Sequence, residues 1–161
     1  MDRYYLYPGA IFASKKPHMV DTILGSCIAV TLWDPVMRIG GINHYMLPAW
    51  NGEGNPSFKY GDIAISELIK RMLAFGSVRN NLKAKIFGGS ESGMPNSVFH
   101  IGKRNMDLAF AILKKEQIPI VSQSIGGTSG RKVVFYSESG EVMIKNIHDL
   151  SERSSTKKGK L

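Results

Sequence analysis

The chain has 161 residues and a formal net charge of +8, with 43% hydrophobic and 21% charged residues. That length suits one domain whose core needs no disulfide or metal to fold, and a single cysteine, Cys27, excludes an intrachain disulfide. No run approaches the roughly 18 continuous apolar residues of a membrane span, and Met1 to Pro8 lacks the apolar stretch and small-residue cleavage site of a secretory signal, so the expected location is cytoplasmic, without membrane insertion.

The positive charge does not single out a nucleic-acid partner. Residues 151–161 hold Arg153, Lys157, Lys158 and Lys160 against Glu152 with almost no apolar residue. This composition predicts a disordered basic tail behind one domain spanning 1–150. The other cations, such as Lys83, Lys85, Lys103, Arg104, Lys114 and Lys115, are separated by apolar residues at core-forming spacing. No nucleic-acid binding is expected.

A first strand is predicted in Gly9 to Ser14. The run Cys27 to Trp33 is β-branched, aromatic and nearly all apolar, as for a strand covered on both faces. Asp34-Pro35 supplies a turn, and a strand from Arg38 to Met46 follows. From Asp62 to Phe75, residues Ile65, Leu68, Ile69, Met72 and Leu73 recur at helical spacing, with Asp62 as a candidate start cap and Gly76 as a stop. Ala84 to Phe87 reads as a short strand. A second helix begins near Lys103, with Met106, Phe110 and Leu113 on one face, and ends at Gln117-Ile118-Pro119. Strands are predicted at Ile120 to Ser124, Lys132 to Ser137 and Glu141 to Asn146, the last two forming a hairpin across Glu138-Ser139-Gly140. The expected fold is α+β, a mixed and largely antiparallel sheet core flanked by two main helices.

Cys27 and His44 lie on either side of the Asp34 to Met37 turn. If Pro35 and Val36 form its tip, Cys27 and His44 are direct cross-strand neighbours with Cβ atoms about 4.5–5.5 Å apart. A bulge or longer loop would shift the register and could turn His44 to the opposite face. Gly25 and Ser26 precede the cysteine, two small residues that let a substrate approach and leave backbone N–H groups for a developing oxyanion. A neighbouring imidazolium would lower the thiol pKa. Taken alone, such a cysteine is more often a small buried hydrophobe, and His44, without its cross-strand position, a core or turn histidine.

His18, His100 and His148 stand apart in loop-like contexts, with no H-E-x-x-H spacing, so neither a metal nor a cofactor is expected. The loops 88–93 and 126–131 are rich in glycine but match neither the Walker nor the dinucleotide pattern. They read as backbone turns, with an active-site rim as the other possibility.

Leu24-Gly25-Ser26-Cys27, followed by Gly40-Gly41-Ile42-Asn43-His44-Tyr45-Met46-Leu47-Pro48, resembles the chemoreceptor glutamine deamidase family, CheD. Lys59-Tyr60-Gly61-Asp62, Ala84 to Gly89, Ile101-Gly102-Lys103-Arg104-Asn105, and Gly126-Gly127 with Gly130-Arg131 extend the resemblance over most of the chain. It implies an α/β sandwich with helices outside and glutamines of chemotaxis receptors (methyl-accepting proteins) as substrate. It also implies a cysteine nucleophile at Cys27, a histidine partner at His44 and a threonine upstream that orients the histidine. The family pattern places that threonine where this chain has Asp21, with Thr22 one residue later, so both stand as candidates for the third member. Two further expectations follow: hydrolysis of glutamyl methyl esters by the same machinery, and binding to a CheC-type chemotaxis phosphatase. In the alternative reading the chain is a catalytically weak adaptor that regulates such a phosphatase.

Overall fold

The structure, a computed structural model, describes residues 1–91 and 100–147 in full and the backbone of residues 158–160. Among the described residues ten strands form two sheets of five, and two long helices cover one of them. The first sheet has the order β1 (Asp2–Tyr5), β3 (His18–Leu24), β8 (Gly130–Tyr136), β9 (Val142–Ile147), β10 (Lys158–Lys160). The second has the order β2 (Ile11–Ser14), β5 (Ile39–Asn43), β4 (Ile28–Asp34), β6 (Lys83–Gly88), β7 (Ile120–Ile125). Among the described residues only β1 with β3 and β6 with β7 are parallel strand pairs, so the fold is the expected α+β class, with its sheet core divided in two.

Both helices, α1 (Gly61–Ala74) and α2 (Ile101–Lys115), pack on the second sheet. Strand alternation divides the core accordingly. Ile28, Val30 and Leu32 of β4 face the helices with Ile65, Leu68, Met72 and Leu113. Ala29 of β4 faces the other sheet with Val20, Leu24, Ile42, Phe87, Val133 and Phe135. The result is three layers, sheet on sheet on helices.

Local chemistry sets the element ends. Helix α1 stops in a Schellman motif at Gly76 (φ +110°), whose N–H bonds Leu73 O while Ser77 N–H bonds Met72 O. Helix α2 stops the same way at Gln117 (φ +58°), with Gln117 N–H on Lys114 O and Ile118 N–H on Leu113 O. Asp62 does not cap α1: its Oδ1 accepts from Trp50 N–H at 3.0 Å, tying down the preceding loop. Glu91, outside α2, supplies that helix with an acceptor for Lys103 N–H at 3.0 Å.

Three strands lie outside the sequence expectation, β1, β3 and β10. In β3, Val20, Thr22 and Leu24 point inward between the sheets, and Met19, Asp21 and Ile23 outward. The expected tail falls mostly outside the described residues. Lys158–Lys160 runs antiparallel to β9.

Candidate active site

The β4–β5 connection sets where Cys27 and His44 meet. Asp34 Oδ1 accepts from Val36 N–H at 2.8 Å and Met37 N–H at 3.1 Å, Asp34 O accepts from Arg38 N–H, and Arg38 is left-handed at φ +55°. The carboxylate thereby organises a four-residue loop, and Asp34 pairs with Ile39 instead of Met37. The ladder reaches Ile28 opposite Tyr45, which puts Met46 across from Cys27 and makes His44 its diagonal neighbour. A two-residue offset preserves side-chain parity, so Cys27 and His44 still share the face turned toward the first sheet.

His44 is 1% exposed and fixed on both backbone groups: its N–H bonds Ala10 O at 3.2 Å and its carbonyl accepts from Gly9 N–H at 2.8 Å. Opposite it, on β3, Thr22 is fully buried. Thr22 Oγ1 lies 2.6 Å from His44 Nδ1 and 2.8 Å from the carbonyl of Leu6. A hydroxyl has one proton, and a carbonyl can only accept. The Thr22 proton therefore goes to Leu6 O, and the Thr22 oxygen accepts from Nδ1–H. This bond defines the tautomer: the proton sits on Nδ1, and Nε2 carries a free lone pair.

Asp21 points the other way. Its Oδ2 accepts from Arg3 Nε at 3.0 Å and Arg3 Nη2 at 2.6 Å, on the outer face of the first sheet. Adjacent residues of a strand face opposite sides, so the inward Thr22 meets the imidazole and Asp21 does not. His18 sits near Asp2, and His100 precedes α2. His148 lies outside the described residues. Among the described residues no cluster of His, Cys, Asp and Glu could hold a metal.

Cys27 is half-buried behind the exposed Gly25 and Ser26, and a Cβ built on Gly25 meets nothing within 4 Å, so the thiol loop is open to an incoming side chain. Burial pushes the thiol pKa above its ordinary value, opposed in part by the residue's own backbone N–H. Burial also lowers His44 from 6.5 to about 4. The resting pair is thus neutral thiol and neutral imidazole, instead of the anticipated thiolate and imidazolium. Burial is the cause for both groups, and Thr22 offers no negative charge to offset it at His44.

The glycine loops support this site from below. Gly88 (φ +105°) lies so close under Cys27 that a Cβ there would stand 2.2 Å from the Cys27 carbonyl oxygen. Gly89 N–H bonds that oxygen at 2.9 Å, and Ser90 N–H bonds Gly25 O at 3.0 Å. Arg131, 7% exposed, ties the second loop to the first: Nη1 reaches Gly88 O at 3.3 Å, Nη2 Gly126 O at 2.7 Å and Nε Ser124 Oγ at 3.1 Å. Residues 92–93 of the first loop lie outside the described residues.

One buried polar residue near Cys27 is unassigned in the sequence reading. Asn105 is fully buried on α2, and its Nδ2 donates to Ser26 O at 3.0 Å and Met46 O at 3.1 Å. Its signal in the sequence is a carboxamide on the stripe Gly102, Asn105, Ala109 and Leu113, which the helix turns to the core. A surface groove lined by Lys132, Val134, Tyr136, Met143, Ile144 and Lys145 lies along β8 and β9 and contains none of these residues.

Comparison with known proteins shows the family of the chain. The family profile described as CheD chemotactic sensory transduction matches residues 46–146. The chain is 43% identical, over 91% of its length and 95% of the relative's, to a "Probable chemoreceptor glutamine deamidase CheD" of Sulfurimonas denitrificans. The chain belongs to the CheD family. Two more CheD relatives named as probable chemoreceptor glutamine deamidases come from Trichlorobacter lovleyi, 41% identical over 88% of this chain and 89% of that protein, and Geobacter sulfurreducens, 37% identical over 89% of each. The CheD match begins at Met46, so Thr22, Cys27 and His44 precede it. The alignments with the CheD relatives cover most of the chain.

Proposed function

We propose that this chain is a chemoreceptor glutamine deamidase working in the cytoplasm, with Cys27 as nucleophile, His44 as general base and acid, and Thr22 as the group that orients the imidazole. The observation that carries this reading is the Thr22–His44 bond with Leu6 as the further acceptor. It leaves Nε2 free to take a proton on the face that Cys27 shares. The relatives' names supply the substrate class. Among the described residues no helix is long and apolar enough to cross a membrane.

In the first half-reaction His44 Nε2 takes the thiol proton as Cys27 Sγ attacks the side-chain carbonyl carbon of a receptor glutamine. The carbonyl π electrons move onto oxygen, where backbone N–H groups of Ser26 and Cys27 receive the charge. Collapse of this adduct breaks the C–N bond, and the nitrogen takes the proton from Nε2 and leaves as ammonia. A γ-glutamyl thioester remains. Water then attacks the thioester while His44 accepts its proton, and collapse releases glutamate and returns the proton to Cys27. A glutamyl methyl ester, with methanol as leaving group, would follow the same steps.

Mass spectrometry of a glutamine-bearing receptor fragment tests the assignment. Wild type is expected to add about one dalton per converted glutamine, and Cys27→Ala none. Equal gain with both proteins would defeat it. The adaptor reading, in which the chain binds a CheC-type phosphatase without turnover, draws its support from Asp21 standing at the position expected for threonine. The Thr22–His44 bond favours the enzyme reading over this one.

A further inference from the structure

The three carbonyls around the thiol are all tied from the same region of the fold. Gly25 O accepts from Ser90 N–H, Cys27 O from Gly89 N–H, and Ser26 O from the Asn105 side chain. The first two anchors come from the loop after β6 and the third from α2. In a trans peptide the carbonyl and the next N–H point in opposite directions. Fixing Ser26 O toward α2 therefore turns the Cys27 N–H away from α2. Among the described residues neither the Ser26 nor the Cys27 N–H is taken up by a backbone acceptor in a turn or loop.

Asn105 is built for this task. Its nitrogen carries two protons and meets two carbonyls, Ser26 O beside the nucleophile and Met46 O two residues beyond His44. With carbonyls on both sides, only the amide nitrogen fits there. It bridges the two strands past their last backbone bridge, Ile28 with Tyr45. The Tyr45 hydroxyl, kept protonated by burial, holds Asn105 in place through its backbone carbonyl at 2.5 Å. Gly102 lets α2 come this close, because a Cβ there would stand 2.5 Å from Gly89 O. Asn105 Oδ1 is buried without a partner among the described residues. Burying an acceptor without a partner is costly, which marks the side chain as kept for its nitrogen.

We propose that Asn105 is the positioning residue of the oxyanion pocket: by anchoring the Ser26 carbonyl it aims the Cys27 N–H at the place where the substrate oxygen gains charge. This rests on Cys27 being the nucleophile. The role separates oxyanion stabilisation from thiol reactivity, since alkylation by iodoacetamide needs the sulfur and no oxyanion.

The test compares full-length wild type with Asn105→Leu, similar in shape but without donors, and with Asn105→Ala, which leaves room for a bridging water. Each is assayed for deamidation of a receptor fragment, for the rate and pH profile of Cys27 alkylation, and for melting temperature. Asn105→Leu is expected to lower kcat about 10²-fold to 10³-fold, as for loss of an oxyanion donor. KM and the alkylation rate should stay within about threefold, and Asn105→Ala should recover part of kcat. If Asn105→Leu melts below the assay temperature, Asn105→Ala carries the test with the same split between kcat and alkylation. A kcat within about threefold of wild type in the folded variants, or equal losses in deamidation and alkylation, would overturn the proposal. Full deamidation by Cys27→Ala would instead remove the reading beneath it.

Discussion

Thr22 of β3 and His44, just beyond β5, join the two sheets through a 2.6 Å hydrogen bond, and the Thr22 hydroxyl gives its one proton to Leu6 O. The imidazole is held by a neutral acceptor, so its orientation is specified without a carboxylate. Thr22→Val should leave Nδ1–H and Leu6 O unpaired, lower kcat about 10²-fold and cost about 1–3 kcal/mol of stability. Thr22→Ser should restore most of both. Asp21→Asn, on the outer face with a partly exposed Arg3 partner, should keep kcat within about threefold. Steady-state deamidation kinetics and urea melts of the three variants check this, and a larger loss in Asp21→Asn than in Thr22→Val would reverse the assignment.

The pH dependence of stability has a definite sign. Folded His44 titrates at about 4, below its ordinary 6.5. Between those values the unfolded chain takes a proton that the folded chain refuses. Stability contributed by neutral His44 is complete above about pH 6.5 and is lost as pH falls toward 4, by up to about 3 kcal/mol. Denaturant unfolding of wild type and His44→Gln across this range should give curves that converge toward acid. Parallel curves would show that the imidazole is not held neutral.

Cys27 is a protonated thiol at rest, since burial raises its pKa. Iodoacetamide should therefore modify it slowly at neutral pH and faster through the alkaline range, with no plateau near pH 7. A rate that levels off below pH 7 would point to a preformed ion pair with His44.

Gly88 is the backbone contact on which the nucleophile rests. Gly88→Ala places a methyl 2.2 Å from Cys27 O at a left-handed φ of +105°, so the nucleophile loop must move. We expect a loss of about 2–4 kcal/mol in unfolding free energy, together with altered Cys27 alkylation and reduced kcat. Gly126→Ala, with the same backbone preference but open space around its Cβ, should cost less and leave alkylation near wild type. Calorimetry with alkylation kinetics separates the two.

The sequence by itself determined most of the elements, while the face that Cys27 and His44 share was kept because the turn is longer than expected by an even number of residues. Apolar periodicity is a local property, so α1, α2, β4, β5 and the β8–β9 hairpin could be read directly. Parity along a hairpin survives a two-residue error in the loop, so Cys27 and His44 keep one face although Asp34 builds a longer turn than expected. Strand β3 escaped because Met19 and Ile23, apolar like the buried Val20 and Leu24, point outward beside Asp21 and blur its alternation.

Tertiary structure alone decided that Thr22, one position along from Asp21, meets the imidazole. That choice depends on which face of β3 the second sheet covers, and the covering strands lie far away in the chain. The same holds for Asn105, whose partners Ser26 and Met46 belong to distant segments. Local sequence specifies which side chains share a face; only packing between sheets and helices decides what that face meets.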